Sequence, residues 1–192
     1  MILIYNENVL INFFAIQMEN TQPKTTAMTF PIAAYQTKDL LWTIGFIVSA
    51  VVFPALLAHT PQNQWITGTI VNTIIFIAVW RVGVVNAALV AILPSSVALI
   101  RGLLPAPMAV LIPWIILSNI VLIAIFYTLK KYPFAGIISA SFAKFLFLFA
   151  ITSFFIKLSA PLVFMMQWPQ LVTALAGGLI AVGIIKITKR AE

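Results

Sequence analysis

The stretch FAGIISASFAKFLFLFAITSFFI, Phe134 to Ile156, is apolar or small throughout except for one charge, Lys144, near its middle. A helix needs about 20 mainly apolar residues to cross roughly 30 Å of hydrocarbon, so this stretch reads as a membrane span bounded by Lys131 and Lys157. The same ruler, laid along the rest of the chain, gives five more spans. They are Leu40 to Ala58, Trp65 to Trp80, Val82 to Ile100 between Arg81 and Arg101, Pro107 to Leu129, and Trp168 to Ile185. The second of these is tight for length. A chain of 192 residues that is 62% hydrophobic and 8% charged lies far from soluble composition. The expected fold class is therefore all-α, a polytopic membrane bundle of six transmembrane helices over residues 39–192.

Topology follows from the basic residues. With the amino terminus inside, the inner segments carry Lys24, Lys38, Arg81, Lys130, Lys131, Lys186, Lys189 and Arg190, and the outer loops carry Arg101 and Lys157. That asymmetry favours both termini on the cytoplasmic side of the membrane. Residues 1–38 stand apart. MILIYNENVLINFFAIQ is broken by Asn6, Glu7 and Asn8 and lacks the basic start of a signal peptide. Two readings stand for this segment: a short interfacial helix, or a translation start at Met18 or Met28 that leaves it outside the protein.

Several chemistries are excluded. Without cysteine there is no disulfide, thiol nucleophile or iron–sulfur cluster, and the single His59 makes no histidine cluster. No glycine-rich phosphate loop is present, so the chain does not hydrolyse ATP in that way. The acids, Glu7, Glu19, Asp39 and Glu192, all lie outside the spans, which removes the usual carboxylate of a proton- or sodium-driven transporter. The basic residues are scattered at span ends, a pattern of membrane topology and not of nucleic-acid binding. Neither an enzyme nor a cofactor is expected.

Lys144 is the residue that needs an explanation, because a lysine at a helix centre costs about 2.5–3.5 kcal/mol even on lenient scales. At about 1.5 Å per residue it lies roughly 15 Å from the inner end of its span and about 20 Å from Lys157, too deep to snorkel. Its counter-charge must come from a ligand, from another chain, or from loss of its own proton; backbone carbonyls and water are the remaining alternative. Gly136, Ala140 and Lys144 share a stripe, and the sixth span offers a matching one in Thr173, Gly177 and Ala181 beside Gly178. The lysine is thereby expected to face the sixth span inside the bundle. The same depth arithmetic brings Asn119 and Ser118 of the fourth span, and Asn72 of the second, to about its level. Pro113 is expected to kink the fourth span beside Trp114, and Pro94, Ser95 and Ser96 the third. Trp65 and Trp168 sit where an aromatic belt belongs.

With these features in view, the chain resembles the substrate-binding S component of an energy-coupling factor (ECF) transporter. The resemblance covers roughly Lys38 to Arg190. It rests on topology and on WITGTIVNTIIF (Trp65 to Phe76), LPSSVALIRGLLPAPMAVLIPWIILSNIVLI (Leu93 to Ile123) and FAGIISASFAKFLFLF (Phe134 to Phe149). It implies a subunit that binds a vitamin or related small nutrient near the outer face. Its implied partners are a transmembrane coupling subunit and two cytoplasmic ATPases. Transferred to this chain, the site would comprise Lys144, Asn119, Arg101 and Trp114, with Trp168 beside them, and Asn72 joins these candidates on depth alone. The docking face would use Gly45 and Ser49, whose spacing matches the family's small-residue motif although Pro54 and the five-residue step from Ala50 to Ala55 depart from it. Two competing readings are a structural or assembly subunit, with Lys144 paired to a partner's acid, and an anion channel lined by Lys144 and Arg101.

Overall fold

The computed structural model describes residues 37–57, 63–100, 106–157 and 159–191. The N-terminal segment, His59 and Arg101 lie outside them. Among the described residues every regular element is helical, and five helices are long and apolar enough to cross a membrane. Helix α1 is Thr37–Leu57. It opens with Asp39 in its first turn, where a carboxylate complements the helix dipole. Helix α2 is Asn63–Ile100. A 3-10 turn, Ala106–Leu111, leads into α3, Ile112–Thr128. Helix α4, Pro133–Ala150, continues into a π-helical turn, Ile151–Phe155. Short α5, Ala160–Met165, precedes α6, Trp168–Ala191.

Three expectations change. The second and third spans, expected to divide at Arg81, follow one another without a loop, and the break between them falls two residues later, at Gly83. That residue has φ 83° and ψ −179°, a conformation open to glycine and costly for any residue with a Cβ. Pro113 does not kink the fourth span. The α-helix begins at Ile112, so the proline occupies the first turn, where its missing N–H has no intrahelical partner to lose. The small-residue stripe of the sixth span also packs elsewhere. A Cβ on Gly177 would come within 2.8 Å of the Thr69 carbonyl and the Thr73 amide, so this glycine abuts α2 and not the fifth span. Gly178 is the residue that meets α4, at Ile137, and Gly136 packs on Phe126 and Leu129 of the preceding hairpin.

Side-chain pairs give the helix directions. Gln64 Nε2 donates to the Met165 carbonyl at 2.7 Å, Gly68 abuts Thr173, and the Gly177 and Gly178 pair reaches Asn72 and Phe76. The first half of α2 and α6 therefore run parallel. Helices α3 and α4, joined by the turn at 129–132, run antiparallel, and the edge-to-face pair Phe76–Phe126, 4.7 Å between centroids, sets α3 beside α2. The main apolar core gathers Ile75, Phe76, Val79, Leu122, Phe126, Ile137, Ala140 and Ala181. A second, smaller cluster of Leu111 and Met166, with Ile115, Ile156, Leu162 and Met165 against it, closes the opposite end. Helix α1 is the least integrated: Thr43 and Ala50 are its buried residues.

Candidate functional site

Between the two apolar clusters lies a layer of buried polar side chains: Asn72, Ser118, Asn119, Ser141, Lys144, Thr152 and Thr173. Lys144 is its centre. From α4 its Nζ donates to Asn119 Oδ1 of α3 at 2.7 Å and to Asn72 Oδ1 of α2 at 2.9 Å, and the residue is 3% exposed. The lysine expected to have no acidic partner within the spans is thus held by two neutral amide oxygens. Interhelical polar contacts in membranes average about 0.6 kcal/mol, with a maximum near 1.7, so two of them offset part of the roughly 2.5–3.5 kcal/mol cost of placing a lysine at that depth. Among the described residues the one acid is Asp39, at the start of α1.

The amide orientations follow from the network. Asn72 Nδ2 donates to the Gly68 carbonyl at 2.8 Å and to Thr173 Oγ1 at 3.4 Å, so a flipped amide would set two oxygens face to face and its NH2 against the ammonium. Gly177 makes this possible, because its missing side chain lets α6 come within reach of Asn72. In its ammonium form Lys144 has three N–H donors and uses two of them here, which leaves one for a further acceptor. Ser141, one turn away from Lys144 on α4, is fully buried, and its hydroxyl has no hydrogen-bond partner among the described residues. The sequence reading passed over Ser141, although its spacing of three from Lys144 was the signal that could have found it.

Of the other expected site residues, Trp114 is half-buried and lies 6.4 Å from the Phe147 ring, one turn outward of Lys144. Trp168 is exposed on one face and packs its ring 5.2 Å from Phe145. Arg101 lies outside the described residues. Gly45 and Ser49 are on α1, far from this layer in the chain. A Cβ on Gly45 would meet nothing within 4 Å, and the Ser49 hydroxyl donates to the Gly45 carbonyl at 2.7 Å. Above the lysine the π turn carries Thr152, whose hydroxyl donates to the Leu148 carbonyl at 2.9 Å and accepts from Gln167 Nε2 at 3.4 Å. Such single π turns frequently mark functional sites. No family model matches the sequence, and neither a curated protein nor a solved structure does.

Proposed function

We propose that the protein is a membrane-embedded binding subunit for a small anionic or carboxylate-bearing nutrient, of the kind the ECF S-component resemblance implies. One observation carries this reading: a buried Lys144 held by two neutral amides, with no carboxylate beside it among the described residues. An anion entering the polar layer would take the third N–H of the ammonium. Asn119 would add an amide donor, Ser141 a hydroxyl, and Trp114 an apolar wall. Uptake itself would need the coupling subunit and ATPases that the resemblance implies.

A six-span arrangement would suit the same reading, and two facts favour it. At about 1.5 Å per residue, α2 as one straight rod would run nearly twice the hydrocarbon thickness. Its second half nevertheless buries Ala87, Val90 and Ala91 in the same core as Phe76. A reversal at Gly83 accounts for both facts, and gives two passes.

Native mass spectrometry of the purified protein tests the function. Wild type is expected to release a small anionic molecule. Lys144→Met, similar in volume and apolar, is expected to elute as the same folded species without it. Equal retention in the variant, or no released molecule from wild type, overturns the reading.

A second reading, a membrane assembly subunit, is favoured by α1. Its Leu41, Val48, Val52 and Leu56 are exposed in a row beside the open Gly45. Purification in mild detergent separates the two: ATPase subunits support import, and other membrane proteins without a bound nutrient support assembly.

A further inference from the structure

We propose that one end of the bundle is a binding surface for the headgroups of acidic phospholipids, centred on Lys130, Lys131 and Lys186. Lys130 and Lys131 are adjacent in the hairpin between α3 and α4, and the fold brings Lys186 of α6 beside them, over Phe134. Each stands over an aromatic ring: Lys130 Nζ lies 4.3 Å from the centroid of Tyr127, Lys131 5.8 Å from Tyr132, and Lys186 5.3 Å from Phe134. Arg81 lies over Trp42 in the same way, at 5.3 Å, where α1 begins.

Three features point to a lipid as the occupant. First, the charge is one-sided. Asp39 is the one carboxylate among the described residues, and it forms no ion pair with these three lysines. Second, a ring beneath an ammonium holds it by its quadrupole without using up its N–H donors, so the donors remain for phosphate oxygens. Third, Tyr127, Tyr132 and Phe134 are themselves exposed. Exposed rings with a cation above them suit the boundary where acyl chains meet headgroups, since one surface covers the ring while its phosphate meets the lysine. A soluble phosphate would satisfy the lysines and leave the rings bare. The surface is independent of the Lys144 layer, and neither proposal stands or falls with the other.

The test uses the full chain in nanodiscs of phosphatidylcholine with and without phosphatidylglycerol, followed by counting the lipids that survive mild release in native mass spectrometry. Wild type is expected to retain phosphatidylglycerol selectively. With Lys130, Lys131 and Lys186 changed together to Gln, that preference is expected to fall roughly 100-fold, about fivefold for each lysine. These side chains are exposed, so the variant is expected to melt as wild type does in phosphatidylcholine alone. Lys157→Gln at the other end is expected to retain the lipid in full. Equal retention by wild type and the triple variant overturns the proposal. So does an equal thermal shift with soluble glycerol phosphate, which would mark an anion site indifferent to lipid, and so does a wild type without lipid preference that instead copurifies with an acidic protein.

Discussion

Two amides hold Lys144, and they are not equivalent. Asn72 is fixed on both sides, through its oxygen to the lysine and through its nitrogen to Gly68 and Thr173. The bond recorded for Asn119 runs through its oxygen alone, which makes it the side chain free to turn when an anion arrives. Interhelical polar contacts in membranes average about 0.6 kcal/mol each, with a maximum near 1.7. Asn72→Ala, which removes contacts to two neighbouring helices, is therefore expected to cost about 1–3 kcal/mol, and Asn119→Ala about half as much, measured by thermal unfolding in one detergent. Asn119→Asp would supply the lysine with a carboxylate. It is expected to raise the melting temperature and abolish anion retention; retention at wild-type level would show that the lysine serves only to tie helices. Ser141→Ala removes a buried hydroxyl that has no partner among the described residues. Because such a group costs about 1–3 kcal/mol, this change is expected to leave stability unchanged or higher. The common depth of Lys144, Asn119 and Asn72 was legible in the sequence, since a helix converts residue number to height. That amide oxygens would clasp the lysine was not, because height says nothing of which way a side chain turns.

At the scale of elements, the charges marked the ends of most spans well but misjudged the break in α2. Arg81 is where the charge falls, whereas Gly83 is where the backbone leaves helical φ and ψ. A single glycine in an apolar run looks the same whether it packs, bends or does nothing. The glycines of α6 show the same ambiguity. A period of 3.6 identifies a face and leaves its neighbour open, so Gly177 was matched to the fifth span when it abuts α2. Their environments predict unequal responses. Gly177→Ala would drive a methyl group against the backbone of Thr69 and Thr73, which cannot give way as a side chain can. It is expected to destabilise by about 1–3 kcal/mol. Gly183→Ala meets nothing within 4 Å and is expected to stabilise by up to about 1 kcal/mol through helix propensity. Comparable melting temperatures for the two variants would contradict the close approach of α2 and α6.

For the whole molecule, the number of passes is the decisive quantity, and the chain suits the measurement because it has no cysteine of its own. Single cysteines at Lys38 and Lys131 are expected to react with an impermeant thiol reagent from one side of the membrane, and at Lys157 from the other. If α2 crossed once, Lys38 and Lys131 would react from opposite sides. That the chain is a set of long apolar helices was legible in composition, because a bilayer restricts backbone to helices of set length. The irregular end, with its 3-10 turn, π turn and short α5, was not, since those segments follow from how neighbouring helices close over one another. Finally, α6 carries two consecutive glycines, and adjacent positions on a helix point about 100° apart. Gly177 accordingly seats on α2 and Gly178 on α4, so α6 sits like a key between two walls of one lock. The walls are the helices that bear Asn72 and Lys144. A side chain added at either glycine would therefore push on a helix that carries one of those two residues.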